Sequence, residues 1–124
     1  MAPARVLIVD DQQPFRLAAK DVVESMEDFT VVGEAVSGEA AIAEAWSRRP
    51  DLILMDVNLP GIDGIEATRR ILAQSPGIVV VLLSTYEPAR YAARIEASGA
   101  AAYVHKDDFG PDRLAQIWSD VTTS

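Results

Sequence analysis

Apolar runs and apolar stripes alternate five times along the chain. The runs are short and carry no helical period: residues 6–9 (Val-Leu-Ile-Val), 29–35, 52–55 (Leu-Ile-Leu-Met), 78–83 and 101–104. Runs of this kind bounded by turn residues predict buried strands. The run at 78–83 is the most apolar, which predicts burial on both faces, as at the centre of a parallel sheet. Between the runs, apolar residues recur at helical spacing. Pro14 is placed as a first helical residue, and Phe15, Ala18, Ala19, Val22 and Met26 follow as one stripe. Ser37 is a candidate N-cap for a second helix with Ala41, Ile42, Ala45 and Trp46 inward, stopped by Pro50. Asp63 with Glu66 resembles a capping arrangement for a third, with Ile65, Thr68, Ile71 and Leu72 on its buried side. Pro88 opens a fourth and Gly99 closes it; Tyr91, Ala92 and Ile95 form a thin stripe. Pro111 opens the last, with Leu114, Ile117, Trp118 and Val121.

Five strand-helix units require right-handed crossovers and helices on both faces. The expected fold is α/β: a doubly wound, flavodoxin-like, five-stranded parallel sheet of order 2-1-3-4-5. In that order the first and third strands are neighbours, roughly 4.8 Å apart. Asp10 and Asp11 follow the first run, Asp56 the third, Ser84 the fourth and Lys106 the fifth. These are the positions where an open α/β sheet presents its binding crevice.

Three carboxylates gathered there repel one another, and at least one pKa should rise. A hard divalent cation relieves the repulsion by taking oxygen ligands, and magnesium is the natural occupant. A carboxylate beside such an ion can attack a phosphoryl group, while a lysine and a hydroxyl bind its other oxygens. A single strand-end acid would read as a cap or a solvated group; the three acids with Lys106 read together as a site.

Composition narrows the class. The chain has 124 residues, 49% of them hydrophobic, which suits one folded domain, and residues 1–124 are read as that single domain. A net charge of −8 argues against nucleic-acid binding by the domain itself. With no cysteine, disulfides and thiolate-ligated metals are excluded. No segment has the length of a membrane span or a signal-peptide core, so the expected setting is cytoplasmic.

The acid pair Asp10-Asp11, the stretch from Leu52 through Asp56 to Gly61, Ser84, and Tyr103-Val104-His105-Lys106 resemble, in order, the motifs of response-regulator receiver domains of two-component signalling. The resemblance covers about the whole chain. The strand order belongs to that family too, and so is not an independent inference. The resemblance implies that Asp56 is the phosphoacceptor and that Asp11 binds Mg2+ (or Mn2+) directly. Asp10 would bind it through water, and the Asn58 backbone carbonyl would complete the protein ligands beside Asp56. Lys106 and Ser84 would contact the phosphoryl oxygens, and Ser84 with Tyr103 would form the switch pair. The implied partner is a sensor histidine kinase. A homodimer or effector contact is expected through the fourth helix, fifth strand and fifth helix.

The residues around Asp10-Asp11 and Val32-Gly33-Glu34-Ala35 most resemble receivers of helix-turn-helix transcription factors of the nitrate-response and quorum-sensing type. Regulation of transcription is therefore the expected role, with DNA binding in a part outside these residues; a free-standing receiver acting by protein contact is the alternative. Many relatives carry proline after the lysine, often in a cis bond. With Asp107 there, a cis bond would cost about 3 kcal/mol. Thr85 replaces a common small alanine. Tyr86 and Asn58 occupy positions that tune water access in the family, and a bulky Tyr86 is expected to slow hydrolysis. His105, the only histidine, reads as structural rather than as a phosphate carrier.

Three other functions compete. A receiver-like interaction module that no longer takes phosphate typically lacks an acid or the lysine, and this chain keeps all of them. A haloacid-dehalogenase-type phosphatase also uses a strand-end aspartate but usually needs an acid two residues on, where Asn58 stands. A flavodoxin-like electron carrier would show a Ser-, Thr- and Gly-rich loop after its first strand, where this chain has Asp10-Asp11-Gln12-Gln13. The expected activity is thus that of a switch catalysing only its own phosphotransfer and slow self-dephosphorylation.

Overall fold

The computed structural model describes residues 2–123. Five strands and five helices alternate: β1 Ala4–Val9, α1 Gln13–Glu24, β2 Phe29–Ala35, α2 Gly38–Arg48, β3 Leu52–Asp56, α3 Gly64–Gln74, β4 Val79–Ser84, α4 Ala92–Ser98, β5 Ala102–His105 and α5 Pro111–Thr122. All strand pairings are parallel, in the order β2-β1-β3-β4-β5. The centre is therefore β3, buried at every position, and the more apolar β4 lies beside it.

Two apolar clusters cover the two faces of the sheet. One joins Leu7, Val9, Ile53, Met55, Val80 and Leu82 to Ala41 and Ala45 of α2 and Ile65, Ala67 and Ile71 of α3. The other joins Val6, Ile8, Leu52, Leu54, Val81 and Leu83 to Ala19 and Val23 of α1 and Leu114 and Ile117 of α5. Alternation along the inner strands β1, β3 and β4 feeds both faces, which is why their runs have no polar half.

The caps form where the sequence places them. Ser37 accepts from the Ala40 amide, and Asp63 from the Glu66 amide at 2.9 Å. Three stripe positions differ from expectation. Trp46 is 62% exposed, its ring under the Arg49 guanidinium at 5.3 Å, because α2 already meets the core through the smaller Ala41 and Ala45. On α1, Ala18 is exposed and Val23 takes the inward place. The segment after β4 begins with a 3-10 turn, Pro88–Tyr91, before the short α4, which buries only Ser98. Ala92 is exposed, so the stripe there is thinner than expected. No helix among the described residues is long and apolar enough to cross a membrane.

Candidate functional site

Parallel pairing aligns the strand ends. Val9 pairs with Met55, Asp56 with Leu83 and Ser84 with His105. Asp10, Asp56, Ser84 and Lys106 therefore emerge at one edge of the sheet. Each of Asp10, Asp11 and Asp56 offers a carboxylate oxygen within 4.8 Å of the others.

Asp10 is fully buried. Its Oδ1 accepts from the Gln12 amide at 2.8 Å, and its Oδ2 accepts from Lys106 Nζ at 2.7 Å. The same ammonium lies 3.5 Å from Asp56 Oδ1 and 4.4 Å from the centroid of the Phe15 ring. Lys106 thus bridges two carboxylates over an aromatic face. Asp56 is buried too, and its Oδ1 accepts from the Asn58 amide at 3.3 Å. Asp11 is exposed at the mouth.

Burial, and then the charge of Asp10, pushes Asp56 up to about 6, against the opposing pull of Lys106 and the Asn58 amide. One ammonium does not neutralise three acids. An all-oxygen donor set with excess negative charge suits a hard divalent cation, so Asp10, Asp11 and Asp56 could hold one.

Ser84 is fully buried; its Oγ accepts from the Tyr86 amide at 3.1 Å and from Asn58 Nδ2 at 3.5 Å. Asn58 Oδ1 accepts from the Tyr91 hydroxyl at 3.4 Å. The half-buried Tyr103 donates its hydroxyl to the Tyr86 carbonyl at 2.6 Å, and burial raises its pKa. Tyr86 lies exposed beneath the Arg90 guanidinium, 4.3 Å from the ring centroid. The Lys106–Asp107 peptide is trans, as the cost of a non-proline cis bond demands.

Three contributors were not assigned to this site from the sequence. At Gly64, the first residue of α3, a Cβ would stand 2.0 Å from the Asp56 carbonyl oxygen. Its amide also donates to the Val57 carbonyl at 2.8 Å, closing the loop after Asp56. Arg16 donates to the Asp10 carbonyl at 2.8 Å and pairs with Glu34 at 3.3 Å. Arg94 of α4 makes a two-pronged pair with Asp63, both contacts 2.8 Å. Only the third dimension shows these. A groove of about 550 Å3 between α2 and α3, lined by Ile42, Trp46 and Ile71 among others, contains none of the acids.

A sequence model described as response regulator receiver domain matches residues 6–118. The response regulator GacA of Pseudomonas viridiflava is 40% identical over 102 residues, which are 82% of this chain and 48% of that protein. The chain spans about half the length of the curated GacA proteins it matches. Among solved structures, the response regulator domain of Thermotoga maritima CheB superposes with a TM-score of 0.87 at 30% identity, each chain 98% covered. The receiver domain of the putative response regulator NarL from Mycobacterium tuberculosis gives 0.91 at 24% identity, each fully covered, which speaks for the fold alone. With that fold, that cluster and those matches, the chain belongs to the response regulator receiver domain family.

Proposed function

We propose that this chain is switched by phosphorylation of Asp56, the phosphoryl group coming from a sensor histidine kinase. One Asp56 carboxylate oxygen attacks phosphorus in line; the new O–P bond forms as the P–N bond to the donor histidine breaks, and the imidazole takes up a proton. The observation that carries this reading is Lys106 Nζ, 2.7 Å from Asp10 and 3.5 Å from Asp56, where it reaches both the nucleophile and the oxygens of an incoming phosphoryl group.

Asp11 directly, Asp10 through water, Asp56 and the Asn58 carbonyl would hold Mg2+ or Mn2+. When bound, the ion neutralises charge on the transferring oxygens. Ser84 takes another oxygen, and Tyr103 then repacks, which is a local charge event biasing a bistable packing. The chain also catalyses slow loss of its own phosphoryl group. Its output face is α4, β5 and α5, where it contacts an effector or a second copy; the sparse packing of α4 favours that choice. The resemblance to the transcriptional regulatory protein DegU of Brevibacillus brevis, 34% identical and covered over 44% of its length, supports a role as the regulatory receiver of a transcription regulator, with DNA contacts made outside these residues.

The test is intact mass after incubation with magnesium and acetyl phosphate. One phosphoryl group is expected, lost in Asp56→Ala and on chelation. A gain that survives Asp56→Ala places the acceptor elsewhere.

A further inference from the structure

His105 is the only histidine, and its ring makes two backbone contacts that fix its chemistry. An amide N–H can only donate, so Nδ1 accepts from the Asp107 amide at 3.1 Å. A carbonyl can only accept, so Nε2 carries the proton that reaches the Thr85 oxygen at 2.9 Å. Both bonds together require a neutral imidazole in the Nε2–H tautomer. The Asp107 carboxylate lies 3.6 Å from Nδ1.

The two partners are not arbitrary. Thr85 follows Ser84 and Asp107 follows Lys106, so one ring ties together the backbone just beyond each side chain that would receive phosphoryl oxygens. The strands themselves pair at this level, Ser84 with His105, and the ring continues that pairing past the end of β4.

We propose that His105 is a positioning residue for phosphotransfer, a brace setting the separation of the Ser84 segment and the Lys106 turn. The proposal rests on Asp56 as the phosphoacceptor. Two oxygens of one phosphoryl group must be met by Ser84 at the end of β4 and by Lys106 just past the end of β5. A rigid link between them spares the ordering that would otherwise fall on the transition state. When Ser84 moves to the phosphoryl group the Thr85 carbonyl moves with it, and the imidazole changes partner distance.

The competing role is local, the ring merely capping the turn at Lys106–Asp108 through Asp107. His105→Asn separates the two, because its carbonyl can replace Nδ1 towards Asp107 while the short side chain cannot span to Thr85. Phosphorylation by acetyl phosphate with magnesium is followed by intact mass in wild type, His105→Asn and His105→Phe, with circular dichroism reporting the fold. In parallel, 15N spectra of the single imidazole are recorded before and after adding magnesium and beryllofluoride.

A brace predicts the Nε2–H tautomer, displaced ring resonances after beryllofluoride, and phosphorylation slowed about five- to tenfold in a folded His105→Asn. An Nδ1–H tautomer, unmoved resonances, or wild-type kinetics in His105→Asn would overturn it. If His105→Phe does not fold, His105→Asn and the spectra decide. A wild type that accepts no phosphoryl group defeats the functional reading itself, a result distinct from a normal wild type with an unaffected variant.

Discussion

Asp56→Asn should stabilise the protein at pH 8 in the absence of divalent cations. In the fold the Asp56 carboxyl is held up to about 6 from 3.8, first by burial and then by Asp10. The folded state therefore binds this proton more tightly than the unfolded chain does. Stability is lost as pH rises through the window from 3.8 to about 6, and the full cost is present above it. About two pKa units correspond to at most ~3 kcal/mol. Asparagine removes that cost but forfeits the contact with Lys106, whose 2.7 Å bond to Asp10 remains. A net gain of about 1–2 kcal/mol is expected, or about 4 °C in Tm per kcal/mol for a domain of this size. Urea unfolding in chelator at pH 8 and pH 4 measures it. The variant should be more stable at pH 8 and nearly equal at pH 4, where the side chain is largely protonated in the folded state. Adding magnesium at pH 8 should raise wild type more than the variant, since the ion offsets a charge that only wild type carries. A variant less stable than wild type at pH 8, or a difference independent of pH, would refute the electrostatic account.

Gly64→Ala should destabilise by about 3 kcal/mol or more, because the new methyl falls on the Asp56 carbonyl and backbone must move; thermal unfolding at the wild-type midpoint would contradict this. Arg94→Ala should cost less than ~1 kcal/mol globally, as the pair with Asp63 is partly exposed, yet speed amide exchange in α4, which buries only Ser98. Burial works against ionisation of Asp63, but the hydrogen bonds from Arg94 hold its carboxyl below the usual range. Its contribution should therefore be present at neutral pH and disappear as pH falls through that lowered value. Tyr86→Ala should shorten the phosphoryl lifetime several-fold by admitting water beside Asn58 and Ser84; an unchanged dephosphorylation rate would show the ring to be a bystander.

Much of the architecture was readable in one dimension. Short, continuous apolar runs bounded by turn residues fit strands covered on both faces, and Pro14, Ser37, Asp63 and Pro111 mark helix starts by their own backbone chemistry. The acids, the hydroxyl and the lysine each stand at the end of an apolar run, so parallel pairing alone draws them to one edge. Side-chain destinations were less legible. A helical stripe fixes a face only to within a turn, which is why Trp46 lies outside and Val23 inside.

The order of apolar and polar residues by itself determined five strands, five helices and a cluster of charge at the strand ends, because strand and helix periods and breaker residues act locally. Tertiary structure decided what those charges do. It seated Lys106 between Asp10 and Asp56, raised Asp56 by burial, reserved the space at Gly64 and strung His105 between two loops. Coulomb interaction, desolvation and steric exclusion depend on distances between residues far apart in the chain, and only the folded backbone sets those distances.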